Sequence, residues 1–241
     1  MAFRHGTTAK FYYHTLDFTS YVEEVDPGFE REMAEFAPLD ASWKSNLPGL
    51  RSMTVSLAGL YDSTADKVAD ETWGIFDGSA ERIFAYLPDG DTLANVAFCG
   101  ESLVSSENIP AGNDVLRFPV AVIGSDNFDR CDILHTLSEE TSTGNESTVD
   151  GGAASNYGCA AYVVCTAVSA SDTLDVKLEH SINDSDWDDL LTFTQLTAPG
   201  SEVKTVAAAA DSVRRYVRVA WTIGGSDTAM TFFVAWHRKT A

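Results

Sequence analysis

Three pairs of adjacent carboxylates, Glu23-Glu24, Glu139-Glu140 and Asp188-Asp189, are the first places to look for chemistry in this sequence. Glycoside hydrolysis needs two carboxyls converging across a bond in a cleft. Neighbours in an extended strand point to opposite faces, so none of these pairs converges unaided, and they read as solvated charge. The run from Asn183 to Asp189 sets an amide or carboxylate at alternate positions, as calcium loops do. It lacks the central glycine and the downstream glutamate of an EF-hand, and a hairpin turn rich in Asn and Asp accounts for it. The five histidines, His5, His14, His135, His180 and His237, are scattered. No GxGxxG, GxxxxGK[ST], GxSxG, HExxH or CxxC pair occurs. No catalytic site, metal or cofactor is therefore expected. One basic cluster, Arg214-Arg215-Tyr216-Val217-Arg218, would set Arg214, Tyr216 and Arg218 on one face of a strand. That face can stack on a base or a sugar, or pair with nearby acids.

The charge narrows the partners. The chain has 241 residues, with 16 basic against 36 acidic side chains and a net charge of −20. Phosphates and anionic headgroups would be repelled, which excludes a DNA or membrane binder that works by attraction. Hydrophobic residues make up 44%, enough for packed cores. No apolar stretch near the start reads as a secretory signal, and no run approaches the 18 residues of a membrane span. The longest candidate, residues 159–170, is broken by Thr166 and Ser169. Cys99, Cys131, Cys159 and Cys165 are thinly spread, and free cysteines tend to be buried, so four reduced thiols and a reducing cytosol are expected.

The elements are mostly strands. Met53, Val55 and Leu57 alternate with Ser52, Thr54 and Ser56, the period of a half-covered strand. Leu116, Phe118, Val120 and Val122 repeat the rule, as do Ile83, Ala85 and Leu87 before a Pro-Asp-Gly turn. Residues 28–36 alternate Glu30, Glu32 and Ala34 with Phe29, Arg31 and Met33. One helix is predicted over residues 63–76, capped by Ser63, with Asp66 in its first turn and Gly78 past its end. Its apolar face would be Ala65, Val68, Ala69, Trp73 and Phe76. Residues 138–152 hold a single apolar residue, Val149, and read as a linker. The predicted organisation is two domains, 1–148 and 149–241. The first is a sandwich or barrel with one flanking helix. The second is a small Ig-like antiparallel sandwich built on Leu174 to Leu178, Val213 to Trp221 and Met230 to Trp236.

The order of these pieces resembles the major tail tube proteins of long-tailed, siphovirus-type bacteriophages. The matching segments are Leu16-Asp-Phe-Thr-Ser-Tyr21, the loop 36–50 with Trp43 and Leu47-Pro48-Gly49-Leu50, the strand 53–62 and the helix. Phe84-Ala-Tyr-Leu-Pro88 follows, then 99–107, Ile109-Pro-Ala-Gly112 and 114–123. Residues 156–238 resemble a sandwich module appended to such proteins, through Leu178-Glu-His-Ser181, Trp187, Arg215-Tyr-Val-Arg-Val-Ala-Trp221 and residues 232–238.

The resemblance implies a structural virion protein. Six copies form a ring, and rings stack head to tail into a hollow tube that conducts DNA to the host. The second domain would decorate the outside, offering Arg214, Tyr216 and Arg218. The implied location is the virion tail, after synthesis in the bacterial cytoplasm, without membrane insertion. The implied partners are further copies, other tail proteins such as tape measure, terminator and baseplate, and DNA passing without sticking. Residues 1–148 carry 9 basic and 25 acidic side chains, a net of −16, so an acidic bore would repel DNA. Glu30 and Glu32 are the candidate lining, and Trp43, Leu47, Pro48 and Leu50 the candidate contacts between rings. The competing readings are a host-adhesion or carbohydrate-binding protein using Trp187, Tyr216, Trp221 and Trp236, and a baseplate or capsid decoration protein.

Overall fold

Every side chain of residues 159–165, Cys-Ala-Ala-Tyr-Val-Val-Cys, is buried. A strand with one wet face would alternate; this one does not, because both faces are covered. The computed structural model that reveals this describes residues 8–36, 43–62, 64, 67–109, 116–170, 172–210, 212–225 and 229–240. Among them the chain forms fifteen strands and one helix. They are β1 (Lys10–Tyr13), β2 (Leu16–Asp17), β3 (Val22–Phe36), β4 (Ser45–Leu60), α1 (Val68–Asp77), β5 (Arg82–Leu87), β6 (Val96–Glu107) and β7 (Arg117–Glu140). There follow β8 (Gly144–Asn145), β9 (Val149–Asp150), β10 (Cys159–Val168), β11 (Thr173–Ser181), β12 (Asp188–Thr192), β13 (Gly200–Val206), β14 (Tyr216–Gly224) and β15 (Met230–Arg238). The predicted mainly-β class with one helix is what forms. The sheets are antiparallel and, among the described residues, neither closes into a barrel.

The chain divides into two compact units: Met1–Ser20, Glu81–Glu101 and Asp126–Ala241 in the first, Tyr21–Ala80 and Ser102–Ser125 in the second. This division follows other lines than residue 148. That position falls within the first unit, where β7 before it and β10 after it both pair with β15. Nor is the Ser/Thr/Gly-rich segment around it a free linker. Its two short strands β8 and β9 pair with β14, and Trp221 donates its indole N–H to the Ser142 carbonyl at 2.9 Å. Backbone groups thus replace apolar side chains as the anchor, a kind of tethering that composition does not reveal.

In the first unit β10 lies between β13 and β15. Its Cys159, Ala161, Val163 and Cys165 pack with Leu174, Val176 and Leu178 of β11 and with Val217, Val219 and Trp221 of β14. Its Ala160, Tyr162 and Val164 pack the other way, with Ile83, Ala85 and Leu87 of β5 and Phe233 of β15. Each fully covered aliphatic side chain contributes about 1.5–3 kcal/mol. The one polar atom carried in by β10, the Tyr162 hydroxyl, donates to Asp129 Oδ2 at 2.8 Å. All four cysteines are buried free thiols, as expected, and burial pushes Cys159 and Cys165 up to about 11.

In the second unit β4 is the middle strand, with β3 on one side and the start of β7 on the other, from Thr54↔Ile123 to Leu60↔Arg117. The helix covers one face. It begins at Val68, later than expected; Ser63, Ala65 and Asp66 lie outside the described residues. Lys67 holds the N-cap without a side-chain bond, and Asp70 and Glu71 meet the positive end of the dipole. The buried stripe is Val68, Ala69, Thr72 and Ile75, whereas Trp73 and Phe76 are 54% and 43% exposed. This corrects the apolar face predicted above. Thr72 can be buried because its hydroxyl donates to the Val68 carbonyl at 2.7 Å, leaving no orphan polar group.

His135 is buried, stacked 4.1 Å from the Phe232 ring and edge-on to Trp221. Its Nδ1 lies 3.1 Å from the Phe232 carbonyl; its Nε2 has no hydrogen bond and lies 3.5 Å from Glu140 and 3.9 Å from Glu146. Burial pushes this imidazole down, and the two glutamates counter it only in part. The unfolded chain therefore takes up a proton that the folded chain refuses, so this site costs stability as pH falls below about 6.5. His135→Phe should lose less stability between pH 7 and pH 5 than the parent, read as the shift of the urea midpoint. Parallel curves would show that His135 does not titrate on unfolding.

Candidate assembly surface

The β3–β4 hairpin outruns its support. β7 pairs with β4 only over Thr54–Leu60, so from Glu30 to Phe36 and from Ser45 to Ser52 two strands run without a third. Every residue in both stretches is exposed. At about 3.4 Å per residue the ribbon projects roughly 25 Å. A lone two-stranded ribbon is marginal in water, so a sequence that keeps one has a reason outside its own core. Leu47, Pro48 and Leu50, expected in a loop, lie on β4, 57% exposed at Leu47 and 77% at Leu50. Pro48 is tolerated because β4 has only one neighbour there. Trp43, just before the strand, is 83% exposed. Of the loop predicted over residues 36–50, residues 37–42 lie outside the described residues.

Register assigns the faces, since cross-strand partners share one. Phe29↔Met53 and Arg31↔Arg51 continue the face that is covered nearer the core. Glu30↔Ser52 belongs to the opposite face, with Asp26↔Ser56 and Gly28↔Thr54. Glu32 falls on this same face, opposite the bulge at Gly49 and Leu50; a Cβ on Gly49 would press to 3.0 Å from that of Glu32. Glu24, Asp26, Glu30 and Glu32 are all exposed. The outcome is a sheet with a helix on one face and, on the other, a row of carboxylates beside serine and threonine hydroxyls.

Beneath the exposed side of α1 lies a cavity of about 190 Å³, lined by Tyr61, Ala69, Asp70, Trp73, Glu107 and Phe118, with Ile109 at its edge. The Tyr61 and Phe118 rings meet edge-on at 5.7 Å, and Trp73 and Phe76 lie 5.6 Å apart. Burial pushes the Glu107 carboxyl up, countered in part by a hydrogen bond with Thr72, and its Oε1 is buried without a partner. Sequence reading missed this cavity. The signal present was Trp73 and Phe76 on one side of a helix whose buried positions were already supplied by smaller residues.

In the first unit the basic cluster is engaged with acids. Arg214 pairs with Asp188, and Arg215 grips Asp150 through two bonds of 2.8 and 2.7 Å. That grip brings the Asp150 carboxyl down to about 2. Arg218 bonds Glu179 at 2.8 Å and lies 4.1 Å over the Trp187 ring, while Lys177 bridges Glu179 and Asp189 at 2.8 and 2.7 Å. Burial raises the Glu179 carboxyl, but the two cations overcome it and bring it below the ordinary range. Of the stacking platforms considered above, Trp221 and Trp236 are core residues, 6% and 2% exposed. Tyr216 carries the Arg215 guanidinium 4.8 Å from its ring centre. The turn 183–189 is held by Asn183, whose Oδ1 accepts from the Ser185 and Asp186 amides at 3.1 and 3.0 Å. Among the described residues no group of three His, Cys, Asp or Glu could hold a metal.

No protein-family model matches the sequence, and no curated protein does. Solved structures align with this chain at low identity. The virion of a native gene transfer agent particle aligns with a TM-score of 0.44 at 17% identity, over 53% of this chain and 98% of that one. The tail of an empty gene transfer agent particle, refined with C6 symmetry, gives 0.43 at 19%, over 53% and 98%. The Dit protein of phage SPP1, a hub adsorption apparatus protein of phages infecting Gram-positive hosts, gives 0.37 at 9%, over 95% and 99%.

The Arg218–Glu179 pair is mostly shielded and the Arg215–Asp150 pair half exposed, with side-chain exposures of 22%/11% against 46%/46%. Arg218→Ala should cost about 1–3 kcal/mol because it leaves a shielded carboxylate under-paired. Arg215→Ala should cost less than Arg218→Ala, because the exposed pair is screened by water and salt. Urea unfolding of the two variants checks the order, and a reversed order would contradict it.

Proposed function

We propose that this chain is a structural protein of a phage tail that assembles with copies of itself, six to a ring, into a hollow stacked tube. One observation carries the self-assembly. Of the fourteen large apolar side chains left exposed among the described residues, twelve belong to the second unit, about a third of the chain. Scattered exposed apolar groups are ordinary; concentration on one unit marks a surface meant to be covered. Most of them fall on the unsupported ribbon and around α1, so the second unit is the assembly module. The resemblance of residues 1–135 to tail tube proteins supports the tail as its place. In this reading Trp43, Leu47, Pro48 and Leu50 lie between rings, and closure of six copies gives the second unit's sheet the neighbours that a lone edge lacks. The other partners are tape measure, terminator and baseplate proteins.

The face carrying Glu24, Asp26, Glu30 and Glu32 is the candidate bore. From Glu24 to Glu32 the acids are interleaved with small hydroxyls, and they repel phosphate. At physiological salt this repulsion reaches about 8 Å from the wall, enough to keep DNA from sticking while leaving the centre passable. The adhesion reading loses support because two of its four aromatic platforms lie in the core.

Negative-stain microscopy of the purified full chain should show hollow filaments of uniform width. Monomers at every concentration would refute the proposal. Glu30→Lys/Glu32→Lys should assemble normally, both positions being exposed, yet slow DNA ejection from phage at low salt. Unchanged ejection would remove these residues from the bore.

A further inference from the structure

The α1 cavity has the composition of a cation site. Three aromatic rings, Tyr61, Trp73 and Phe118, wall a space of about 190 Å³ that also holds the Asp70 and Glu107 carboxylates. Aromatic faces attract cations electrostatically, and the attraction grows when water is excluded. Glu107 adds a specific demand. Its Oε1 is buried with no donor, and a buried acceptor left unpaired costs about 1–3 kcal/mol. A planar guanidinium meets both needs, stacking on a ring while donating to a carboxylate.

The same unit carries the complementary group. Arg31 and Arg51 stand directly opposite each other on the ribbon, both exposed, and neither has an ion pair among the described residues. Like charges directly opposite are destabilising in a hairpin. In a chain with 36 acidic and 16 basic side chains, a pair of arginines without an acidic partner among the described residues is the unusual arrangement. Phe29 and Met33 flank them along the strand, 43% and 57% exposed, so the guanidiniums sit in an apolar setting like the rim around Trp73, Phe76 and Ile109.

We infer that the cavity between α1 and the ends of β6 and β7 receives a guanidinium from the Arg31–Arg51 pair of a second copy of this chain. This rests on the self-assembly proposed above and names the contact. The interface is heterologous: ribbon on one copy, cavity on the next. Each copy therefore offers one half-site in each direction, which lets assembly continue along a line or around a ring.

The first test is assembly of the full chain by sedimentation. Arg31→Glu/Arg51→Glu should raise the concentration needed for assembly at least tenfold, and Arg31→Lys/Arg51→Lys should restore part of it. Glu107→Gln should weaken assembly without touching the ribbon. If the parent assembles and the Arg-to-Glu variant does so equally well, the ribbon-to-cavity contact is wrong while the self-assembly proposal stands. If the parent never assembles, that proposal falls and the second-copy assignment with it. The second test uses the non-assembling Arg-to-Glu variant and N-acetylarginine methylamide as probe. Tryptophan fluorescence should change saturably, and the change should disappear in Trp73→Phe and be absent with the neutral citrulline analogue. No response, or an equal response to citrulline, would overturn the cavity as a guanidinium site.

Discussion

Coverage of β10 and β15 on both faces is the constraint from which the first unit follows. A strand buried on one side can tolerate alternation; one buried on both must be apolar throughout and can carry a polar atom only where a partner waits. β10 obeys this at Tyr162, whose hydroxyl reaches Asp129, and β15 is apolar at Phe232, Phe233 and Val234; Trp236 is the exception, its indole N–H buried without an acceptor among the described residues. Given that pair, the β11–β14 sheet must close one side and β5 the other, because either face left open would expose a strip of Val, Ala and Phe. The same constraint places the end of the chain, β15, between β7 and β10. Removing β15 would therefore unpair two strands at once.

The second unit has no such interior. Its helix buries four residues, Val68, Ala69, Thr72 and Ile75, and its sheet contributes a single covered face. What it lacks in core it carries as exposed apolar surface, together with 14 acidic and 5 basic residues in its sequence. Those two properties oppose each other in a monomer. Exposed apolar groups favour association, and net charge keeps copies apart through self-repulsion. The register resolves the opposition in space. Glu24, Asp26, Glu30 and Glu32 of β3 lie on one face of the sheet, while the arginines, Phe29, Met33 and the Lys44-paired Glu35 lie on the other.

How much of this could be read in the sequence depended on whether a residue's role was local. Alternation found β4, β7 and β11 because each has a stretch with a single wet face; β5 and β15 were found through apolar residues at every second position, although both their faces are largely buried. It also put Glu30 and Glu32 on one side of β3. It failed where a polar residue behaved as an apolar one: Thr72 took a buried helix position by bonding to its own backbone, displacing Trp73 and Phe76 to the surface. The Ser/Thr/Gly segment around residue 148 was read as linker, since nothing in its composition records that Trp221, some 79 residues away, would donate to Ser142. Likewise Arg31 and Arg51 are unremarkable in sequence. Only the register brings them face to face.

The bulge opposite Glu32 shows how narrowly that arrangement is set. One extra residue on β4, at Gly49 and Leu50, shifts the pairing so that Arg31 faces Arg51 on one side of it and Met33 faces Pro48 on the other. Without the shift, Met33 would stand across from Gly49 and Ala34 across from Pro48, and the side chains of β4 beyond the bulge would exchange faces. Leu47 would then join the face of Arg31 and Met33, and Pro48 the face of Glu30 and Glu32. A glycine is needed at the site because a Cβ at Gly49 would press on both the Cβ and the carbonyl oxygen of Glu32, at 3.0 and 3.2 Å. The bulge therefore sorts the uncharged residues of β4 beyond it, whereas the charged residues of the two strands take their faces from the alternation of β3 and from the register ahead of the bulge.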